Sequence, residues 1–529
     1  MRAFLSDRSG NYAMMTSVLV LPLLAAAGLS VDYYTLTQDQ KVLQNAADSA
    51  VLAVAAAGDA NGKALAERYL VSNFGGKILS VDLDQDGGEV TLKVRAQSKL
   101  AFFGLFGSGS KPVSVKSSAS TAALDYEVGL VLDTTGSMAG GKLDALKDAA
   151  TTLVTDMTND YKGGGKLKFA LVPFSGFVNV GPQFGPAFNS LGMQTKAAAK
   201  WLDAYGQNPI PQGDLDKNVS RFALYQKLGQ TWSGCVEARG THAHGDYAVE
   251  DVEPDAKQPE TLFVPAFNPD EPDDPGLFPN SYLADGVAGL GQGTFEQRMQ
   301  RYGAPAIAER PTTLIGWIIY ILSWKKVTPD TTPSTYYSDY NQPKGPGFQC
   351  DSQALTPLTT DTALVKKNIA ALSARGSTNT AEGVAWGWRV LSSREPFTEG
   401  AKEDKANTEK IMVVLTDGTN FFGTRPNPLG SQYTAYGYLA DERIGPDTLN
   451  ASGTTSAMDD KTLSTCTNAK KDGIEIFTVL LEVNDEATSS MLEQCASDPE
   501  HFFNVKSRSK LKEVFQGIVK KAGRVRLSG

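Results

Sequence analysis

The sequence predicts an α/β protein whose largest domain has a doubly wound, mostly parallel sheet. Apolar runs of strand length, at 128–132 and 411–415, alternate with segments of helical periodicity such as 143–157. Strands that alternate with helices form parallel sheets covered by helices on both faces. Ligands bind such sheets beyond the carboxyl ends of the strands, and Asp133 and Asp417 follow the two apolar runs there.

Composition describes a globular protein and argues against one class of partner. The chain has 529 residues, of which 41% are hydrophobic and 21% charged, so there is ample material for packed cores. This length suits about three or four domains. A net charge of −9 argues against nucleic acid as a partner. Three histidines are too few for a histidine-based metal or catalytic centre.

An uncharged segment near the N-terminus predicts a transmembrane helix. Residues 11–31 carry no charge, and about 20 apolar residues are enough to cross a bilayer as a helix. Arg2 and Arg8 precede the segment, whereas Asp32 and Asp39 follow it. Because positive residues favour the cytoplasmic side, we expect a cytoplasmic N-terminus and an exported body.

The residues that follow this segment favour an anchor that is retained. Residues 32–57 contain strong helix formers and neither Gly nor Pro, so one helix is expected to continue to about Gly58. A signal peptide cleaved at Ala25–Ala27 is the alternative. The unbroken helical pattern argues for the anchor.

Residues 58–123 predict a small α/β stalk unit. The periodicity gives one helix and three strands, at 64–74, 78–84, 89–95 and 113–121. Asp86-Gly87-Gly88, between the first two strands, favours a hairpin turn. The spacing Asp82-x-Asp84-x-Asp86-Gly87 also resembles the start of a calcium-binding EF-hand loop. A turn is preferred, because Lys93 stands where such a loop needs a bidentate glutamate.

Three polar loops contain candidate ligands for a metal ion. In the first, Asp133, Thr135 and Ser137 stand at every second position after the apolar strand. Thr378 lies in the Gly-Ser-Thr-Asn-Thr stretch of the second loop, and Asp417 follows the other apolar strand. Oxygen donors of this kind suit a hard divalent cation such as Mg²⁺. The alternative is that the two aspartates only cap strand-to-helix turns.

These loops resemble the metal-ion-dependent adhesion site of the von Willebrand factor type A family. Asp133, Thr135 and Ser137 fill the family's Asp-x-Ser-x-Ser pattern, with Thr135 in place of the first serine. Thr378 and Asp417 match the threonine and aspartate of its second and third loops. The resemblance implies a Rossmann-like fold that binds Mg²⁺ or Mn²⁺. It also implies an open coordination position that an acidic side chain of a protein partner fills.

A type A domain in this chain would be interrupted by a long insertion. Regular periodicity stops after about residue 175 and resumes near 357. Roughly 180 residues are too many for a plain loop, so we expect an inserted subdomain on the metal-site side of the sheet. The expected parts are 1–57 with a cytoplasmic tip and transmembrane helix, 58–123, 124–175 together with 357–529, and the insertion 176–356.

Three segments of the insertion have alternative interpretations. The acidic segment Glu250–Asp274 is expected to be a solvated loop, with calcium binding as the alternative. His242-x-His244-x-Asp246 has residue types that bind zinc, but no third strong ligand is evident nearby. The apolar stretch Leu314–Trp324 is too short to span a membrane, so we expect a core element, with an exposed recognition surface as the alternative.

The four cysteines favour an oxidising compartment. The simplest of the three possible connectivities pairs Cys235 with Cys350 and Cys466 with Cys495. Disulfides persist in the periplasm or outside the cell and are rare in the cytoplasm. Four buried free thiols are the alternative.

The N-terminal residues carry a second resemblance. Ser9-Gly10-Asn11, the apolar span, Val31-Asp32-Tyr33 and Leu43–Asp48 resemble the N-terminal segment of TadG-like proteins from bacterial tight-adherence (Flp) pilus assembly systems. Met15 stands where prepilins carry a glutamate, so pilin-type processing is not expected. The resemblance implies a single-pass protein of the bacterial inner membrane with its body in the periplasm or at the cell surface.

Two functions follow from the combined resemblances. The first is a non-enzymatic, membrane-anchored protein that binds an acidic residue of a pilus assembly or surface component through its metal site. The alternative is a structural, minor-pilin-like component with the type A domain as a scaffold. An enzyme is not expected, because the sequence contains no Gly-x-Ser-x-Gly, His-Glu-x-x-His or phosphate-binding loop.

Overall fold

The computed structural model divides the chain into two units, Met1–Ala123 with Gly523–Gly529, and Leu124–Ala522. Each unit has its own hydrophobic core. The structure describes residues 9–57, 61–86, 89–102, 104, 109–120, 125–161, 165–190, 192–210, 215, 218–274, 276–284, 295–304, 312–334, 342–403, 405, 407–522 and 527–528.

The first unit combines two helices with an antiparallel sheet. Its elements are α1 (Ser9–Ala57), α2 (Gly62–Asn73), β1 (Lys77–Asp86), β2 (Glu89–Lys99) and β3 (Ser110–Ser120). The strand order is β1-β2-β3, and a short strand at Leu527–Ser528 pairs with β3. Alternate residues of β2, such as Leu92 and Val94, share a core with Leu43 and Ala47 of α1. The sheet therefore packs against the C-terminal half of this long helix.

Helix α1 confirms the predicted continuation beyond the apolar segment. It runs without a break from Ser9 to Ala57, although Pro22 lies inside it. Within the described residues, its Val18–Ala55 stretch is long and apolar enough to cross a membrane. The expected helix, hairpin and third strand of the following unit are also present, with Asp86 paired with Glu89. The turn residues Gly87 and Gly88 lie outside the described residues.

The second unit is built around a six-stranded sheet. Its elements are β4 (Asp125–Asp133), α3 (Gly141–Asp160), β5 (Leu167–Phe174), β6 (Ala187–Phe188), β7 (Gln194–Lys196), α4 (Arg221–Lys227), β8 (Thr241–His242), β9 (Gly245–Asp246), α5 (Phe295–Arg301), α6 (Leu314–Leu322), β10 (Thr356–Thr359), α7 (Thr362–Ala370), α8 (Thr380–Leu391), β11 (Thr408–Thr416), α9 (Ala451–Lys471), β12 (Ile474–Leu481), α10 (Glu486–Cys495), β13 (Phe502–Val505) and α11 (Leu511–Ala522). The strand order is β10-β5-β4-β11-β12-β13. Neighbouring strands are parallel except β10 and β5. The predicted α/β class with a mostly parallel sheet is confirmed.

Helices cover both faces of this sheet. Successive side chains of β4 point to opposite faces, so the strand contributes to a core on each side. Val128 and Leu130 contribute to a core shared with α3, α7 and α11. Val131 belongs to the opposite core, which includes residues of α8. Gly387 lets α8 approach β4 closely, since a β-carbon there would lie 2.3 Å from Val131 Cγ2 and 2.9 Å from Met412 Sδ.

The chain between β5 and β10 packs as part of the same unit. Trp201 and Phe263 from this insertion share a core with Trp386 of α8 and with Phe397. A second excursion, residues 417–450 between β11 and α9, contacts the insertion through aromatic side chains, including the pair Phe177 and Tyr433. The pattern of the sequence does not predict this second excursion, because it has no regular periodicity.

Both expected disulfides are present. Cys235 is bonded to Cys350 within the insertion, and Cys466 of α9 is bonded to Cys495 of α10. They join positions 115 and 29 residues apart. Cross-links of this span stabilise a fold by about 3.5–5 kcal/mol each in the chain-entropy model.

The expectation of a solvated acidic loop at 250–274 is wrong. Asp251, Asp270 and Glu271 in this segment are buried. Asp270 forms an ion pair with Arg301 and accepts two hydrogen bonds from backbone N–H groups. Buried carboxylates are stable only with such partners, and these come from parts of the chain that the local pattern does not reveal.

The structure also bears on two other segments of the insertion. His242 Nε2 lies 3.0 Å from Glu250 Oε2, and Asp246 forms an ion pair with Lys461. Among the residues that the structure describes, no three His, Cys, Asp or Glu side chains are grouped so as to hold a metal ion, which removes support from the zinc alternative. The apolar stretch Leu314–Trp324 contains α6. We expected this stretch to be a core element, and that expectation is wrong for one face of α6, which is exposed to solvent.

Gly387→Ala tests the close approach of α8 to β4. The added methyl group would overlap Val131 and Met412, so we expect the free energy of unfolding to fall by roughly 1–3 kcal/mol in guanidinium titrations. Gly517→Ala is the matched control, because it is also a helical glycine but has no atom within 4 Å of the added β-carbon. It should stabilise α11 by up to about 1 kcal/mol. Equal effects of the two substitutions would contradict the packing argument.

Glu271→Gln tests the burial of the acidic segment through pH. Burial raises the pKa of Glu271 from its ordinary 4.5 to about 7, against hydrogen bonds from the Asn280 backbone and Tyr438. The folded chain therefore holds an extra proton between these values, and stability falls as pH rises through this window. From pH 4 to 8, wild type should lose about 3 kcal/mol relative to the glutamine variant. Glu493→Gln, at an exposed position, is the control, and its stability relative to wild type should not change with pH. If the effect of Glu271→Gln on stability did not change with pH either, Glu271 would not have a raised pKa in the folded chain.

Candidate metal centre

The first carboxylate of the candidate centre is fixed where β4 ends. Asp133 is the last residue of this strand and is fully buried. Its Oδ1 accepts a hydrogen bond of 2.8 Å from the Thr135 backbone N–H. Its Oδ2 accepts one of 2.6 Å from Thr416 Oγ1, at the end of the neighbouring strand β11. The carboxylate is therefore held in one orientation by the two central strands.

Two hydroxyl groups connect this region to the second carboxylate. Thr135 Oγ1 lies 2.9 Å from Ser137 Oγ, and Ser137 Oγ donates a hydrogen bond of 2.5 Å to Asp417 Oδ1. Asp417 follows β11, whose register places Leu415 opposite Leu132 of β4. Because parallel neighbouring strands end at the same edge of the sheet, the two aspartates meet there.

The second polar loop approaches the same edge. The Gly376 carbonyl accepts a hydrogen bond of 3.0 Å from the Gly136 N–H, and Gly376 has a left-handed φ of +83°. Two residues further on, Thr378 faces the third loop: a β-carbon on Gly418 would lie 3.2 Å from Thr378 Oγ1 and 3.7 Å from Ser137 Oγ. Glycine at 418 thus keeps the space between these hydroxyls open. The structure brings all five candidate ligands to one place.

The cluster carries negative charge that the fold neutralises only in part. Burial, and then the charge of Asp417, raise the pKa of Asp133 from 3.8 to about 6, whereas the hydrogen bonds from Thr135 and Thr416 lower it. Asp417 Oδ2 is 2.6 Å from the ammonium of Lys142, at the start of α3. The sequence pattern indicates neither Thr416 nor Lys142, because a threonine before an aspartate and a lysine in a first helical turn are common.

The donor set fits a hard divalent cation. Two carboxylates and three hydroxyl groups are oxygen ligands, which suit Mg²⁺ or Mn²⁺ and not metals that prefer sulfur or imidazole. Four of the five side chains are buried, while Ser137 is exposed, so the cluster opens to solvent on one side. The arrangement is an oxygen-rich cluster at the carboxyl edge of a mostly parallel α/β sheet.

The N-terminal segment matches the model of a known family. Residues 10–57 match the family described as Flp pilus-assembly TadE/G-like, which confirms the resemblance predicted for this segment. Comparison with curated proteins finds no match. The family match covers α1 and not the candidate metal centre.

Solved structures of pilus proteins show a distant likeness to the chain. The pilus adhesin SpaC from Lactobacillus rhamnosus GG is 10% identical, over 84% of this chain and 34% of its own, with a TM-score of 0.32. The vWF domain of the type V pilus tip protein Mfa5 from Porphyromonas gingivalis is 12% identical, over 76% of this chain and 97% of its own, also at 0.32. The pilus adhesin RrgA from Streptococcus pneumoniae is 12% identical, over 84% and 50%, again at 0.32. The chain thus spans about a third of SpaC, and these scores establish no common fold.

Proposed function

We propose that the chain is a membrane-anchored, non-enzymatic protein of a tight-adherence (Flp) pilus biogenesis or adhesion system, and that its second unit binds a protein partner through a divalent cation. The observation that carries the metal site is the convergence of Asp133, Thr135, Ser137, Thr378 and Asp417 at one sheet edge. The pilus context is supported by the family match of residues 10–57.

The chemistry of the cluster favours partner binding. Asp133 and Asp417 would supply charge, and Thr135, Ser137 and Thr378 neutral oxygens, in the manner of a von Willebrand factor type A domain. Bound Mg²⁺ or Mn²⁺ would keep an exchangeable coordination position that a carboxylate of the partner can fill. A cavity of about 190 Å³ beside the loop, bordered by Ser377, has room for a further partner side chain.

A binding role also explains better than catalysis why both carboxylates are held by hydrogen bonds within the fold. Both aspartates are already held by hydrogen bonds, from Thr416 to Asp133 and from Ser137 and Lys142 to Asp417. A general acid or base must exchange protons with a substrate within hydrogen-bond reach. Fixed, mutually repelling carboxylates are better suited to hold a cation.

The proposed location follows from α1 and the disulfides. The uncharged residues 11–31, in the N-terminal part of α1, would anchor the chain in the bacterial inner membrane, with the N-terminus in the cytoplasm. The bonds Cys235–Cys350 and Cys466–Cys495 suit a periplasmic or surface-exposed body.

A structural, minor-pilin-like role is the second candidate, and one observation favours it. The Lys142 ammonium already pairs with Asp417, so this fold contains a cation of its own at the cluster. In that case the α/β unit would be a scaffold and α1 would carry the assembly function. The two candidates differ in whether the cluster binds a divalent ion.

Calorimetric titration of residues 124–522 with Mg²⁺ and Mn²⁺ separates the candidates. We expect binding by wild type and none by Asp133→Ala or Asp417→Ala, because each removes half of the ligand charge. Asp447→Ala, an exposed aspartate outside the cluster, should bind as wild type does. Absence of binding to the folded wild-type protein would favour the scaffold role, and binding that survives both substitutions would place the ion elsewhere.

Lys142→Met tests whether the ammonium competes with the divalent ion. A partly exposed ion pair contributes about 1 kcal/mol, so its removal should raise the affinity for Mg²⁺ roughly three- to tenfold. Lys147→Met is the control, because Lys147 lies on the same helix and has no ion pair among the described residues. Weaker Mg²⁺ binding by Lys142→Met would show instead that Lys142 supports the ligand geometry.

A further inference from the structure

Helix α6 presents a continuous stripe of large aliphatic side chains to solvent. The stripe consists of five residues that are 46% to 72% exposed: Leu314, Ile315, Ile318, Ile319 and Leu322. Their spacing of one, four, five and eight positions from the first places them on one helical face. Apolar surface of this size on one short helix usually marks an interaction site.

The opposite side of the helix is firmly held by the insertion. Tyr320 and, just beyond the helix, Trp324 are buried in the core, with ring centroids 5.7 Å apart. The Lys325 N–H donates a hydrogen bond of 2.6 Å to the Gly303 carbonyl. Lys227 Nζ donates one of 3.1 Å to the Trp324 carbonyl. The packing therefore fixes which face is exposed, and the aliphatic stripe is held outward by the fold.

The charges around the stripe favour one kind of surface. Residues 312–329 contain no acidic residue, although the whole chain has a net charge of −9. Lys325 and Lys326, both exposed, lie three and four residues after the end of the helix. An apolar helical face with adjacent lysines suits the interface of a bilayer that contains anionic lipids. A helix of nine residues is about 14 Å long, so it can lie in that interface but cannot span it.

The chain also supplies a reason why a weak membrane contact would be effective. Its α1 contains a stretch long and apolar enough to cross a membrane. Tethering by such an anchor would keep the second unit at a high effective concentration near the lipid surface. A shallow contact of low intrinsic affinity is then enough to hold α6 at the bilayer.

We propose that the exposed stripe of α6 inserts into the interfacial region of a bilayer containing anionic lipids, as a second membrane contact of this chain. This goes beyond the proposed function, because it involves neither the metal centre nor its partner. The contact would fix the orientation of the insertion relative to the lipid surface.

A site-specific fluorophore on the full chain tests this contact. The four native cysteines are in disulfides, so Ile318→Cys introduces a single thiol for an environment-sensitive dye. The labelled chain is reconstituted through α1 into phosphatidylcholine vesicles with or without phosphatidylglycerol. We expect a blue shift with phosphatidylglycerol, and loss of fluorescence when spin-labelled phosphatidylcholine is included. A dye at Ala487→Cys, on the exposed surface of α10, should show neither change.

Two further measurements make the result decisive. Lys325→Gln combined with Lys326→Gln should reduce the quenching of the Ile318 label, because each lysine near an anionic surface strengthens binding severalfold. Failure of spin-labelled lipid to quench the label would overturn the proposal. A blue shift in detergent that grows with protein concentration would overturn it too, because it would identify a second copy of the chain as the occupant of the stripe.

Discussion

The parallel pairing of β4 with β11 is the constraint on which the candidate centre depends. The C-terminal parts of both strands, 128–132 and 411–415, are apolar and buried, and Leu132 pairs with Leu415. Asp133 and Thr416 therefore lie side by side, joined by a hydrogen bond of 2.6 Å. Asp417 then follows at the same edge. Burial raises the pKa of Asp133, and repulsion by the nearby carboxylate of Asp417 raises it further. The fold offsets this cost with hydroxyl donors and one lysine, and an added cation would offset it further.

The position of the second loop depends on packing further inside. Close contact of α8 with β4 at Gly387 sets where α8 begins, and Thr378 lies just before it. Asn379 caps the helix by accepting a hydrogen bond of 3.2 Å from the Glu382 N–H. Asn420, from the third loop, accepts one of 2.8 Å from the Thr380 N–H. Helix packing and capping thus determine the distance between the two loops.

Local patterns in the sequence were enough to predict α1, the three strands of the first unit and the central strands β4 and β11. The five candidate ligands came from these patterns together with the resemblance to type A domains, and the edge strands β10 and β13 were not predicted. Apolar runs that end in polar residues are local signals, and parallel topology turns them into a shared edge. Burial of Asp251 could not be predicted in this way, because its partner Arg394 is 143 residues away. The apolar composition of α6 likewise predicts that the helix is buried, but the sequence does not show whether the fold buries all of its faces. Lys142 was missed because its role depends on a contact with the distant Asp417.

The surface around the candidate centre is built by two excursions that are locked together. Glu237 of the insertion pairs with Arg221 and, at 2.6 Å, with Arg443 of the second excursion. Burial raises the pKa of Glu237, but the two guanidinium groups outweigh it and hold the pKa below its usual value. Breaking such a buried network would leave unpaired charge, at a cost of about 3–5 kcal/mol. Glu237 thus joins the two excursions through buried ion pairs, and the hydrogen bond from Tyr433 to the same carboxylate adds a second contact between them.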